Sequence, residues 1–337
     1  MIGYGVRTTD LERAGRQIVR SALRPGAGEG LVVIGDEGSR AMATAVANAA
    51  EAEEVKVFPI WLEELGRRPL IAVPDRVVRR LQKSSACVFL AGAPHKEARM
   101  RQHLLGLVAN MGIRHAHMEG VSELAFVEGM QADYREVSRV GRAILERVNG
   151  ASTVRCDSRW GTFLEVGFRG APHWFSQLGE VASGTWTTLP SGALYASPDD
   201  VDGVFVANAS LGEFFGHREG SLVEAPVRLS IRRRRVVSVE SESRELQKDI
   251  EETLAFGENS DRVGLVAIGV NLGMTTPTGE SDTDLNLPGL HLIIGDPASK
   301  ITGAKWSART SFAACQADST VRVGNDVLIH EGVVVLS

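Results

Sequence analysis

The chain has 337 residues, of which 43% are hydrophobic and 23% charged, and its formal net charge is −5. This length can bury a full core and favours two domains over one, because domains usually span about 100–200 residues. The small negative charge gives no electrostatic reason to expect nucleic acid or an anionic membrane as a partner.

Cysteine usage and the N-terminal segment both favour a cytoplasmic protein. The three cysteines, Cys87, Cys156 and Cys315, are widely spaced and odd in number. They therefore suit neither a disulfide framework nor a Cys-x-x-Cys metal motif. The N-terminal segment carries charge throughout, and no window reaches the roughly 18 uninterrupted apolar residues of a membrane span.

In residues 1–150, short apolar runs alternate with amphipathic stretches from about residue 10 onward. The runs typical of buried strands lie at 31–36, 55–60, 87–92 and 113–118. Between these runs, and again over 133–150, apolar residues three and four apart predict helices. The alternation indicates an open α/β domain with a largely parallel sheet, which we expect to end near residue 150.

From residue 151 to 337 the apolar residues follow a period of two. The runs are short and are separated by Gly, Pro, Asn and Asp, which is typical of strands joined by turns. Within this part, only 243–256 has the pattern of a long helix. The sequence therefore predicts a β-rich C-terminal domain.

Two stretches could suggest a nucleotide or nucleic-acid site, but each has a simpler interpretation. The glycines at 26–30 precede the first strand, whereas a dinucleotide fingerprint follows its strand, so a tight turn is preferred. Four consecutive arginines, Arg232 to Arg235, lie between two strand-like runs. They predict a hairpin with a solvated, charged turn.

The order of the C-terminal segments resembles one known family. These segments are "RWGTFLEVGFRG", "LPSGALYASPDDVDGVFVANAS", "VGLVAIGVNLG", "LPGLHLIIGD" and "CQADSTVRVGNDVLIHEG". They resemble the aminopeptidase T family of metallo-aminopeptidases, whose fold also includes ring-opening dihydroxypyridine dioxygenases. "GLVVIGDEGSRAMATAVANAA" looks like the family's opening strand and helix. The resemblance covers nearly the whole chain, and it implies an aminopeptidase T-like fold and a homodimer.

The same resemblance implies a metal site whose ligands have mostly been replaced. In the family the metal is held by two glutamates, a further carboxylate, a histidine and a final His-x-Asp. The matching positions of this chain hold Ala193, Leu265, Asn286 with Asp284 two residues before it, His291, Gln316 and Asp318. Of these, His291 and Asp318 are the two that keep the family's residue type.

Two retained ligands are fewer than a catalytic metal normally needs. Catalytic zinc usually takes three protein ligands, and a facial-triad iron takes two histidines and one carboxylate. The residues that could supply a third ligand are Glu280, Asp282, Asp284 and Cys315. We therefore expect either no cofactor or a weakly bound divalent iron or zinc.

Other interpretations of the same residues stay open. His291 and Asp318 could form a carboxylate-histidine pair that acts as a general base, or His291 could be a core histidine bonded to a backbone carbonyl. Cys315 could be a nucleophile or a small buried apolar residue. The aromatic stretch 171–192, with His173, Trp174, Phe175 and Trp186, could line a pocket or pack on the core.

Three functional hypotheses follow. The first is a divergent enzyme that acts on a small amino-acid-like, peptide-like or aromatic substrate, with His291, Gln316 and Asp318 as its rebuilt site. Its expected pocket residues are Ala193, Leu265, Trp186, His173, Cys315 and Asp284. The second is a non-catalytic relative that binds a ligand, a peptide or a protein partner in the old cleft. The third is a true metallo-aminopeptidase.

Overall fold

The structure, a computed structural model, describes residues 6–92, 94–170 and 172–336. The helices in chain order are α1 (Thr8–Gln17), α2 (Arg40–Glu51), α3 (Asp75–Leu81), α4 (Ala98–Asn110), α5 (Glu123–Gly129), α6 (Tyr134–Asn149), α7 (Glu213–Glu219), α8 (Arg244–Leu254), α9 (Ser281–Asp284) and α10 (Ser299–Thr302). A π-helical segment, Ile18–Leu23, follows α1. In the described ranges, no helix has the length and apolarity that a membrane crossing requires.

The strands are short. In chain order they are β1 (Gly30–Gly35), β2 (Lys56–Trp61), β3 (Ala86–Phe89), β4 (Arg114–His117), β5 (Thr153–Ser158), β6 (Phe163–Gly167), β7 (Phe175–Gln177), β8 (Trp186–Thr188), β9 (Ala193–Ala196), β10 (Asp200–Ala207), β11 (Ser210–Leu211), β12 (Val227–Arg232), β13 (Arg235–Glu240), β14 (Val263–Gly269), β15 (Gly289–Gly295), β16 (Ser311–Cys315), β17 (Ser319–Val323), β18 (Asp326–His330) and β19 (Val333–Val334).

The chain divides into two compact units, and the division differs from the expected boundary near residue 150. The first unit consists of Met1–Glu136 and Gly179–Ser191, and the second of Val137–Leu178 and Gly192–Ser337. Helix α6 thus belongs to the second unit from Val137 onward. Leu178 explains this assignment, because its side chain packs so closely on Gly141 of α6 that even a Cβ there would collide.

The second unit is β-rich, as the period of two predicts. An eight-stranded sheet has the order β13-β12-β10-β6-β5-β17-β18-β19, and a six-stranded sheet has the order β11-β16-β15-β14-β9-β7. The pairings within both sheets are antiparallel. Helix α8 occupies most of the predicted 243–256 segment.

The arginine run forms the predicted hairpin, but the expectation of a fully solvated turn is wrong for Arg234. Strands β12 and β13 pair around a two-residue turn in which Arg233 and Arg234 have φ values of 48° and 67°. Positive φ at both central residues is the geometry of a tight hairpin turn. Arg234 is only 5% exposed, because its guanidinium donates to backbone carbonyls and to Ser197.

The first unit contains the predicted parallel α/β sheet. Its strands have the order β2-β1-β3-β4-β8, and every pairing is parallel. Strand β1 is buried along its whole length, which is typical of a parallel strand covered on both faces. The edge strand β8 was not predicted, because it has three residues and lies in a polar, glycine-rich stretch.

A buried ionic network lies where the strand order reverses, between the carboxyl ends of β1 and β3. Arg68 donates to Asp36 at 2.6 Å and to both carboxylate oxygens of Glu97, at 3.0 and 2.6 Å. It also donates to the carbonyl of Gly92 at 2.8 Å. Burial alone would raise the pKa of Glu97, but the hydrogen bonds from Arg68 and Leu70 hold it below its usual value. In open α/β sheets this crevice is the usual ligand position, and here protein side chains occupy it.

We expect Arg68→Met to lower the free energy of unfolding by about 3–5 kcal/mol, because it leaves the fully buried carboxylate of Glu97 without its cation. The matched control is Arg76→Met, which removes an exposed ion pair with Glu64 and should cost less than about 1 kcal/mol. Urea unfolding of the three proteins measures both effects. Equal losses in the two variants would contradict a structural role for this network.

Candidate functional site

Three of the six positions that the sequence resemblance matches to metal ligands lie in strands of the six-stranded sheet. Ala193 lies in β9, Leu265 in β14 and His291 in β15. His291 pairs with Ala267, which pairs in turn with Tyr195, so these side chains share one face of the sheet.

That face is an apolar core. Its buried cluster contains Ala193, Tyr195, Ala209, Ala267, Met274, Leu285, Leu287, Ala313 and Cys315, with Phe175 and Ile293 packed against it. Leu265 pairs with Ile293 and is itself buried. Ala193 and Leu265, which the sequence resemblance matches to glutamate ligands, therefore extend hydrophobic packing.

His291 is fully buried, and both ring nitrogens are engaged. Nε2 lies 2.8 Å from the carbonyl oxygen of Leu287, and Nδ1 accepts the backbone N–H of Gln316 at 3.3 Å. Together these contacts assign the neutral tautomer with its proton on Nε2. Burial lowers the pKa of His291 to about 4. The contacts match the core-histidine interpretation of the sequence.

Gln316, which the sequence resemblance matches to a histidine ligand, has its side-chain amide bonded at both ends. Nε2 donates to the carbonyl of Leu290 at 2.7 Å and to Sγ of Cys156 at 3.3 Å. Oε1 accepts the hydroxyl of Thr162 at 2.8 Å. Leu290 belongs to the six-stranded sheet and Cys156 to the eight-stranded sheet, so this one side chain connects them.

Asp318 pairs with Arg159, whereas His291 is bonded to Leu287 and Gln316. It lies in the turn between β16 and β17 with a φ of 59°, a conformation that Asp and Asn tolerate better than most residues. Its carboxylate accepts a hydrogen bond from Arg159 at 2.6 Å, and the side chain is 37% exposed. The structure brings His291 and Gln316 into contact and pairs Asp318 with Arg159.

The other expected ligands are also engaged elsewhere. Asp284 is buried and accepts hydrogen bonds from the amides of Thr278 and Gly279 and from the Thr278 hydroxyl. Burial raises the pKa of the Asp284 carboxyl and, more strongly, that of the Cys315 thiol, which donates to Ser281. A buried thiol of this kind is a poor nucleophile.

The donor set does not fit a catalytic metal. Within residues 6–92, 94–170 and 172–336, no three His, Cys, Asp or Glu side chains are arranged to hold one. His291 uses both ring nitrogens inside the protein, and Ala193 and Leu265 are buried apolar residues without a donor atom in the side chain. A catalytic zinc needs about three such ligands around an open position.

The residues of the aromatic stretch differ in burial: some pack on the core and others are exposed. Trp174 is buried against Phe168, and Phe175 stacks on Tyr195 with ring centroids 5.1 Å apart. His173 is exposed. The first residue of the stretch, Ala171, lies outside the described residues.

Trp186 belongs to the first unit, where its ring meets that of His117 edge-on. Trp186 is 46% exposed at the edge strand β8. His117 is buried and is hydrogen-bonded to His115 and Glu119. No periodicity of the sequence indicated this cluster.

Comparison with known proteins identifies the fold. No protein-family model matches the sequence, and no curated protein matches it. The solved structure of 2,5-dihydroxypyridine dioxygenase from Pseudomonas putida KT2440 matches with a TM-score of 0.64 and 13% identity, over 99% of both chains. AmpT from Thermus thermophilus matches with a TM-score of 0.60 and 14% identity, over 97% of this chain and 99% of that one. The chain has the fold that these two proteins share.

We expect Gln316→His to destabilise the protein by about 3 kcal/mol, because an imidazole cannot replace three buried hydrogen bonds that reach two sheets. The control is Gln247→His on the exposed face of α8, which should change the free energy of unfolding by less than about 0.5 kcal/mol. Urea unfolding gives both values. A Gln316→His protein as stable as the parent would mean that the amide is not a structural connection.

Proposed function

We propose that this chain is a non-catalytic relative with the aminopeptidase T-like fold, which binds a small-molecule or peptide ligand and uses no metal. The observation that carries the proposal is the bonding of His291, whose two ring nitrogens have partners within the core. A metal ligand or a general base needs one of these nitrogens to be available.

The mutual fit of the replaced positions supports the same proposal. A site that had simply lost ligands would leave buried polar groups without partners, at a cost in stability. Here Ala193 joins the apolar cluster, Leu265 is buried beside it, and the amide of Gln316 is bonded at both ends. These residues are suited to hydrophobic packing and internal hydrogen bonding, and not to catalysis.

The divergent-enzyme hypothesis draws its support from the full-length likeness to two proteins, one of them named as a dioxygenase. It needs His291, Gln316 and Asp318 to act together. The lowered pKa of His291, which burial causes, and the bond between Asp318 and Arg159 both favour the non-catalytic alternative. The homodimer and the cytoplasmic location remain predictions.

The decisive experiment combines metal analysis with activity. Protein purified without chelator should contain far less than one equivalent of zinc or iron, because the donor set is incomplete. Supplied with Zn²⁺ or Fe²⁺, it should turn over neither aminoacyl anilides nor 2,5-dihydroxypyridine. AmpT and the dioxygenase, assayed in parallel, establish that each assay works.

The matched variants are His291→Gln and His330→Gln, the latter at an exposed position on β18. Neither should change metal content or turnover from background. One equivalent of metal, or a turnover that falls about 100-fold in folded His291→Gln but not in His330→Gln, would contradict the proposal and restore the divergent enzyme.

A further inference from the structure

Arg234 is a buried arginine whose hydrogen bonding is incomplete. Its Nε donates to the carbonyl of Val263 at 2.7 Å, and its Nη2 donates to Ser197 Oγ at 2.6 Å and to the carbonyl of Gly264 at 3.2 Å. Its Nη1 has no hydrogen-bond acceptor among the described residues. The guanidinium is therefore held rigidly by two of its nitrogens, while the third remains available.

A second arginine meets Arg234 at the same indole ring. The guanidinium carbon of Arg234 lies 5.0 Å from the ring centroid of Trp306, and that of Arg262 lies 4.3 Å from it. Within the part of the chain that the structure describes, the Arg262 guanidinium makes no hydrogen bond and no ion pair. Trp306 thus positions two cations whose donors are only partly used.

Asp199 and Asp200 attract Arg234 through space and Asp261 attracts Arg262, but the hydrogen bonds and ion pairs that these carboxylates make within the described residues go to other groups. Asp261 pairs with Arg235, Asp199 accepts the backbone N–H of Arg169, and Asp200 accepts that of Val201. Burial, and then the charge of Arg262, lower the pKa of Arg234 to about 10. Two cations held close together without a bonded anion cost free energy. A perturbed pair of this kind, with unused donors, is a candidate ligand site.

We propose that Arg234, Arg262 and Trp306 form a site for the phosphate group of a small molecule. Nη1 of Arg234 and the planar fork of Arg262 supply the donors, and guanidinium groups match phosphate oxygens in pairs. A phosphate group has enough free oxygens to accept hydrogen bonds from both guanidinium groups at once, whereas a carboxylate has two. This inference goes beyond the proposed function, because a phosphate site would serve a catalytic and a non-catalytic chain equally.

Calorimetric titration with inorganic phosphate at constant ionic strength tests the site. The whole protein should bind about one equivalent with a Kd of about 1 mM or tighter. Arg262→Gln should weaken binding about 10-fold or more. The control, Arg309→Gln, removes an exposed charge from the same loop as Trp306 and should leave the Kd within about twofold.

Thermal unfolding gives an independent readout, because a ligand that binds the folded state raises Tm, and the rise is larger the more its concentration exceeds Kd. Phosphate should raise the Tm of the parent and of Arg309→Gln more than that of Arg262→Gln. If Arg262→Gln does not fold, Arg262→Lys keeps the charge without the fork and should also bind more weakly. No saturable binding, or equal binding by the parent and the Arg262 variants, would overturn the inference.

Discussion

The side-chain amide of Gln316 is the connection on which the second unit depends. A buried amide has donors and an acceptor, and each one that folding leaves without a hydrogen bond lowers the stability of the protein. Gln316 satisfies the donor end with Leu290 of the six-stranded sheet and Cys156 of the eight-stranded sheet. The acceptor end is satisfied by Thr162, whose hydroxyl also accepts the backbone N–H of Val206. This one side chain is therefore bonded to both sheets.

The surrounding residues are consistent with this connection. The backbone N–H of Gln316 donates to His291, which sets the ring orientation and leaves Nε2 to donate to Leu287. The same face of the sheet is filled by an apolar cluster that includes Ala193. A charged metal centre and an apolar core cannot occupy the same space, because burying unpaired charge is costly. Ala193, His291 and Gln316 are therefore parts of one packed and internally hydrogen-bonded core.

The sequence predicts those parts of the molecule that local patterns determine. Strands β1 to β4 and helix α6 follow from apolar periodicity, and the order of the C-terminal motifs anticipated the fold. What escaped prediction depends on contacts between distant residues. Arg234 was expected in solvent, and its burial depends on contacts with Val263, Ser197 and Trp306, which are distant from it in the sequence. Similarly, no spacing in the sequence indicates that Gln316 contacts Cys156. The expected boundary near residue 150 was placed from local patterns alone, which do not reveal that Leu178 packs on α6.

The most direct test of this account is the protonation state of His291, measured by ¹⁵N NMR of the imidazole rings with His291→Gln for assignment. A buried histidine whose folded-state pKa is about 4 should keep the neutral, Nε2-protonated ring from pH 8 down to about pH 5. In the urea-unfolded chain the same ring should titrate near pH 6.5. Titration of folded His291 near neutral pH, or a shift of its Nε2 resonance on addition of Zn²⁺, would contradict a sealed, metal-free core at this position.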